Sequence, residues 1–272
     1  PDNLERFVVN PLINVTFMML IVLGGLGFVV IEDVAARLAG RRRRLTLHSR
    51  LALGVTGALI AGGAVVYLVL EAGNAYRGLR PLQQVMAALF QSITPRTAGF
   101  DTVNQAALTE PSKFFTMFLM YVGASPASTG GGIKTTTFFI VMAMIFRGTG
   151  AREDVHAFGR RVSGASIARG MTYALRAFAI LALAIFVLTV SELLVRPSMG
   201  KRFLTVAFEA FSAFGTVGLS LGLTPHLTAV GKLIIVLTMF AGRVGMAALA
   251  VTLPRRLPRR AVDVPEAEVL VG

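Results

Sequence analysis

Two stretches of this chain, Leu12 to Ile31 and Leu51 to Leu70, hold no charged residue. Each matches the length a helix needs to cross the core of a bilayer, about 20 residues rising about 1.5 Å each. Three further runs come close. Phe114 to Phe146 is interrupted only by Lys134, Gly170 to Ser191 only by Arg176, and Leu233 to Leu253 only by Arg243. Hydrophobic residues make up 54% of the 272 and charged residues 15%, more apolar sequence than the interior of a soluble domain of this length can take up. The expectation is an all-α integral membrane protein with five spans.

The sparse charge is clustered and mostly basic, 27 Lys and Arg against 14 Asp and Glu, for a net +13. Arg37, Arg41, Arg42, Arg43, Arg44 and Arg50 follow the first run, and Arg147, Arg152, Arg160, Arg161 and Arg169 follow the third. Arg255, Arg256, Arg259 and Arg260 follow the fifth. Cytoplasmic loops carry such an excess, so these three segments are assigned to the cytoplasmic face of a multi-pass membrane protein, with anionic lipid beside them. A nucleic-acid-binding arm is disfavoured, because no aromatic residues interleave with the Arg43 cluster to stack on bases. The absence of cysteine removes disulfides, thiolate metal sites and a cysteine nucleophile. The chain opens on Pro1 with no leader pattern, and reads as the continuation of a longer protein.

Topological parity constrains the remaining apolar segments. Between the basic loops at Arg44 and Arg147 the number of crossings must be even, and the runs at 51–70 and 114–146 already supply two. Leu82 to Ile93 therefore does not cross. It is also short, and Pro81 and Pro95 bracket it, so it reads as a half-helix that enters from outside and returns as extended chain. Phe203 to Phe214 occupies the same place between the fourth and fifth runs. Non-helical backbone at membrane depth survives only where protein buries it or water lines it, which implies a pore or cavity.

The chain also repeats itself. Phe90-Gln91-Ser92-Ile93-Thr94-Pro95-Arg96-Thr97-Ala98-Gly99-Phe100 recurs, with one residue inserted, as Phe208-Glu209-Ala210-Phe211-Ser212-Ala213-Phe214-Gly215-Thr216-Val217-Gly218-Leu219. Each copy follows a run ending in a lone acid, Glu71 or Glu192. The unit is helix, re-entrant loop, helix. Residues 1–36 then close an upstream unit, 37–147 and 148–254 form two further units, and 255–272 is a cytoplasmic tail.

Thr216-Val217-Gly218-Leu219-Ser220 is close to the potassium-channel filter pattern Thr-Val-Gly-Tyr-Gly. A ring of backbone carbonyls replaces the hydration shell of K⁺, and glycine permits the torsions that aim them at one axis. The C-terminal ends of the half-helices, carrying partial negative charge, would favour a cation there. Taken together, these motifs resemble the Trk/Ktr/HKT superfamily of cation transporters, most closely the bacterial Ktr-type potassium-translocating membrane subunit. Thr94-Pro95-Arg96-Thr97-Ala98-Gly99-Phe100 resembles that family's third filter segment and Phe214-Gly215-Thr216-Val217-Gly218-Leu219-Ser220 its fourth. The resemblance runs from about residue 7 to 254 and implies a potassium-channel-like fold of four units around one pathway. The filter residues would be Thr97, Ala98, Gly99 and Phe100 in the loop at 96–101, and Thr216, Val217, Gly218 and Leu219 in the loop at 215–220. They would coordinate K⁺, with Na⁺ an alternative cargo. It implies no cofactor in this chain, a homodimer, and a cytosolic nucleotide-binding RCK regulatory subunit as partner.

Phe114 to Phe146 is too long for a straight span, since 33 residues would extend roughly 50 Å as one helix. The segment Gly123-Ala124-Ser125-Pro126-Ala127-Ser128-Thr129-Gly130-Gly131-Gly132 holds the poor helix formers and is expected to break it. Lying under the filter, this loop would act as a gate. Arg243 is costly at membrane depth, at least about 2.5 kcal/mol, and is expected to hydrogen-bond the loop, the role that the family resemblance also implies. Lys134 either joins it or snorkels to the cytoplasmic surface. No enzyme is read here. Gly130-Gly131-Gly132-Ile133-Lys134-Thr135-Thr136 lacks the glycine that a phosphate-binding loop needs before its lysine. Ser125 and His226 lack the spacing and topology of a nucleophile and its base. The alternative to transport is a non-conducting regulatory or scaffold membrane protein that keeps the repeat.

Overall fold

The computed structural model describes residues 3–41, 43–147, 156–195 and 203–252, without the side chains of Arg147, His156 and residues beyond Val244. The expected tail at 255–272 and the basic residues Arg42 and Arg152 lie outside the described residues. Helices dominate: α1 (Pro11–Leu26), α2 (Phe28–Leu38), α3 (Leu47–Glu71), α4 (Pro81–Ile93), α5 (Glu110–Tyr121) and α6 (Thr135–Arg147). A two-stranded hairpin of β1 (His156–Ala157) and β2 (Arg160–Arg161) leads to α7 (Gly164–Val195), α8 (Phe203–Phe214) and α9 (Ala229–Thr252).

Threonine caps start three of the long elements. Thr46, Thr109 and Thr228 each accept an amide hydrogen from three residues on, Ser49, Ser112 and Gly231 respectively, which satisfies a donor that a helix start otherwise leaves orphaned. Each cap is in turn gripped by a carboxylate from the preceding span. Thr109 donates its amide and hydroxyl to Glu71 Oε1 at 2.9 and 2.7 Å, and Thr228 does the same to Glu192 Oε1 at 3.0 and 2.7 Å. Thr46 repeats the arrangement with Asp33 Oδ2 at 2.8 and 2.9 Å. The lone acids that end the apolar runs are therefore clamps, which is why two residues as costly to bury as Glu71 and Glu192 sit at 0% exposure. Thr109→Val removes the cap and half the clamp together. It is expected to cost about 1–2 kcal/mol, seen as a lower thermal midpoint of the full-length protein in detergent; an unchanged midpoint would contradict the clamp.

The half-helices sit inside the bundle. α4 packs on α3, and Gly63 makes the approach possible, because a side chain there would run into the Ser92 hydroxyl. That hydroxyl instead donates to Ile60 O at 2.9 Å and Leu59 O at 3.2 Å. α8 is wedged between α5, α7 and α9, burying Val206 and Ala213 against Leu188, Leu223, Leu227 and Ile235. Leu175, Phe178, Leu183 and Phe186 of α7 face outward, as on a helix surrounded by lipid.

α3 and α7 are long and apolar enough to cross a membrane unbroken. The first run does not form the single straight span expected of Leu12 to Ile31: α1 and α2 meet at a 102° bend. Gly27 makes that bend at φ +80°, where a side chain would collide with the Pro126 carbonyl. The Phe28 amide then donates to Ala127 O at 3.2 Å. The third run breaks where the sequence places the break, between α5 and α6.

Candidate functional site

Each half-helix runs directly into a turn of the same design. Thr97 and Gly99 follow α4 with φ of +68° and +76°, and Thr216 and Gly218 follow α8 with φ of +50° and +97°. Left-handed residues alternate with ordinary ones, a pattern that turns neighbouring carbonyls to one side of the chain. The amides point back into the protein. Ala98 N donates to Thr94 O at 3.2 Å, Thr216 N to Ala213 O at 3.0 Å and Val217 N to Ser212 O at 2.9 Å, while Gly218 N donates to Ser212 Oγ at 3.1 Å. The carbonyls of Thr97, Ala98, Thr216 and Val217 accept no hydrogen bond from the described residues. Phe100 O is held by the Thr94 hydroxyl, and the buried Val217 and Leu219 side chains pack on Met117, Met120 and Phe208.

The two turns meet. A Cβ on Gly99 would collide with the Val217 carbonyl and sit 3.1 Å from Gly218 Cα. Of the eight residues read as a filter, four thus keep carbonyls without a donor among the described residues, while Phe100 O accepts from the Thr94 hydroxyl and Gly99 O from Asn3 Nδ2 at 3.2 Å, and the glycines stand at the contact between the loops.

Residues without a role in the sequence reading support these turns. Glu209 is 4% exposed and its carboxylate gathers the returning chain. Ser220 Oγ, Leu221 N and Leu223 N donate to Oε1 at 2.6, 3.0 and 3.3 Å, and Thr224 Oγ1 donates to Oε2 at 2.6 Å. In the first unit Gln91 takes that place, paired reciprocally with Gln105 at 2.8 and 3.0 Å. Arg96 is 6% exposed. Its guanidinium donates to Thr56 Oγ1 at 3.1 Å, and its Nε has no partner among the described residues. A buried cation of this kind costs several kcal/mol if uncompensated, and the negative end of α4 lies beside it. The signal in sequence was present, a lone ionisable residue inside the second half-helix, Glu209, and one just past the end of the first, Arg96, but the partners of both are remote.

Directly against both turns lies the segment 122–134 that joins α5 to α6. A Cβ on Gly130 would come within 2.6 Å of Thr97 Oγ1, and one on Gly131 within 2.6 Å of Thr216 Oγ1. Glycine is required there by the approach of two neighbouring loops. Gly123 faces the Gly131 carbonyl, again with no room for a side chain. Ser125 N donates to Gly25 O at 2.9 Å, Thr135 Oγ1 to Ser125 Oγ at 3.0 Å, and Ser128 Oγ to Ser125 O. Ala124, Ser125, Gly130 and Gly131 are buried, whereas Ala127 and Thr129 are exposed. Pro126, Ala127 and Thr129 face the α1–α2 bend.

Lys134 Nζ, not Arg243, makes the side-chain contact that ties this loop from below, donating to Gly130 O. The expected hydrogen bond from Arg243 is not formed. Gly242 is pressed against the Phe214 carbonyl, and the next residue on a helix turns about 100° away. Arg243 is therefore exposed and lines a cavity of about 290 Å³ together with Pro126, Gly132, Lys134, Tyr173 and Phe214.

A protein-family model described as TrkH, cation transport protein, matches residues 1–262. The chain is 36% identical over its full length to the potassium/sodium uptake protein NtpJ of Enterococcus hirae, covering 60% of that protein. It is 35% identical to the Ktr system potassium uptake protein B of Bacillus subtilis, again over its full length and covering 59% of the relative. The chain thus spans about three fifths of the length of these curated relatives. Its fold is similar to the crystal structure of the potassium transporter TrkH from Vibrio parahaemolyticus, with a TM-score of 0.64 at 17% identity, over 89% of this chain and 52% of that one. On the match across nearly its whole length, this chain belongs to the TrkH family of cation transport proteins.

Proposed function

We propose that the chain forms the later part of a potassium uptake protein in a bacterial cell membrane, with the turns at 96–101 and 215–220 lending backbone carbonyls to a selectivity filter. The observation that carries this reading is the meeting of two alternately left-handed turns at Gly99 and Gly218, with unpaired carbonyls, against a glycine-rich loop. Hydration of K⁺ is replaced by such oxygens when their amides are engaged elsewhere. The uptake proteins named among the relatives support K⁺ as cargo, and the potassium/sodium name of one keeps Na⁺ beside it. Membership of a transport family accords with a sequence that offers no catalytic apparatus.

In this reading residues 37–147 and 148–254 are two filter-bearing units, 1–36 closes an earlier one, and the segment 123–132 is the gate. Lys134 latches the gate through Gly130 O, and Arg243 adds positive charge to the cavity beneath it, a barrier to a cation until the loop moves. The Ktr relatives belong by name to a multi-component system, which supports a further subunit as partner; in this reading that partner is a cytosolic nucleotide-binding regulatory subunit and the chain itself assembles as a homodimer.

The test is K⁺ uptake by the full-length protein in cells lacking their own uptake systems, followed by flux into vesicles. Growth at low external K⁺ is expected; no rescue and no flux would leave the non-conducting scaffold as the better reading. Lys134→Ala and Arg243→Ala are each expected to raise K⁺ flux through the intact assembly, by roughly tenfold if a barrier of about 1.4 kcal/mol is removed. Unchanged flux in both would dismiss the gate.

A further inference from the structure

A second cavity, apart from the turns and the loop beneath them, opens at the start of α3. It measures about 390 Å³ and is lined by Arg44, Thr46, Arg50, Phe158, Gly159 and Arg160, among others, with no carboxylate among its lining residues. Thr46, at its edge, is engaged through its amide and hydroxyl with Asp33. Arg50 is oriented by Phe158, its guanidinium carbon lying 6.0 Å from the ring centre, as in a cation–π contact. The hairpin tip that carries Phe158 and Gly159 holds both residues at positive φ, +50° and +75°. That is a strained setting for phenylalanine, and it leaves the ring 59% exposed. Three guanidinium groups around one concave space raise each other's energy until an anion enters, and the planar fork of arginine suits phosphate oxygens.

We propose that this cavity binds a phosphate-bearing anion, with Arg44, Arg50 and Arg160 as its charged partners. The headgroup of an acidic phospholipid and a free phosphate ester share the chemistry. The position favours the lipid, because α3 is a membrane-spanning helix that begins at the cavity and the exposed Phe158 ring sits beside it as an apolar surface for the acyl boundary. The site does not depend on the filter assignment.

The full-length protein in detergent separates the sources. Binding is measured with micelles doped with short-chain phosphatidylglycerol or phosphatidylcholine, and with inorganic phosphate and AMP as free probes. Phosphatidylglycerol is expected to bind in preference to phosphatidylcholine. The pair Arg44→Gln with Arg160→Gln should weaken it roughly twenty-five-fold, at about five-fold per arginine. The control pair Arg41→Gln with Arg43→Gln, exposed residues outside the cavity, should change it less than about three-fold. Binding of phosphate or AMP with the same dependence on Arg44 and Arg160 supports the site and assigns it to a soluble phosphate rather than a lipid. Arg160→Gln alone, on the exposed hairpin, should still give about a five-fold loss if the double variant does not fold. Equal losses in the cavity and control pairs, or no binding of any of these probes by the unaltered protein, would overturn the proposal.

Discussion

Gly99→Ala is expected to cut K⁺ uptake by the full-length protein sharply while leaving it folded in the membrane. Two costs coincide at this position. A non-glycine residue in the left-handed region loses roughly 1–2 kcal/mol. The new Cβ also meets the Val217 carbonyl, a backbone atom that no rotamer change moves aside. Either the turn at 96–101 or that at 215–220 must shift, and carbonyls displaced by a fraction of an ångström no longer match the shell of a dehydrated ion. Uptake should fall by roughly tenfold or more, with the protein still inserted and folded but its thermal midpoint lowered, because the collision is local. Gly218→Ser offers the contrast. The nearest atom to a Cβ there is Gly99 Cα at 3.7 Å, so only the strain of φ +97° applies. That variant should still conduct, with weaker discrimination of K⁺ from Na⁺. Wild-type uptake in Gly99→Ala, or an unaltered K⁺/Na⁺ ratio in Gly218→Ser, would remove these turns from the filter.

The second large effect is on stability. Glu209→Ala takes the acceptor away from Ser220 Oγ, Leu221 N, Leu223 N and Thr224 Oγ1 at once. The two hydroxyls can turn to other acceptors, but the amides of Leu221 and Leu223 cannot. Unpaired buried donors cost about 1–3 kcal/mol each, so a loss of roughly 3 kcal/mol is expected, with the segment 220–224 released from α8. Glu209→Gln should be far milder. Its amide oxygen can take the place of Oε1 and keep three of the donors, and its NH₂ group can face the Thr224 hydroxyl, which then accepts. The pair is read from thermal midpoints and limited proteolysis of the full-length protein. Equal effects of Ala and Gln would mean that charge, rather than the geometry of the acceptor, is what Glu209 supplies.

Much of this architecture is written in local chemistry. Proline and glycine set the half-helices where the sequence puts them, Pro81–Ile93 for the first and Phe203–Phe214 for the second, and the break read at 123–132 is the non-helical segment between Tyr121 and Thr135. Those signals are short-range, because a pyrrolidine ring or a missing Cβ acts on its own turn. What stays hidden depends on partners distant in the chain. The bend at Gly27 is made by Pro126 and Ala127 about a hundred residues away, and nothing within Leu12 to Ile31 distinguishes it from a tolerated glycine. The loop has Lys134 as its side-chain tether rather than Arg243, a choice made by the rotation of α9 against Phe214. Glu71 and Glu192 are visible as a recurring acid, but their role as clamps needs the threonines 38 and 36 positions on.

The two turns share a backbone yet differ in the charge behind them. Where one half of the repeat has Gln91 and Arg96, the other has Glu209 and Gly215. A pore assembled from identical subunits copies every substitution around its axis and so can only be strengthened or weakened uniformly. Tandem duplication within a single polypeptide frees each turn to drift alone. In the proposed pathway, evolution can then adjust the electric field beside one turn, with a cation behind Gly99 and an anion behind Gly218, without altering the other.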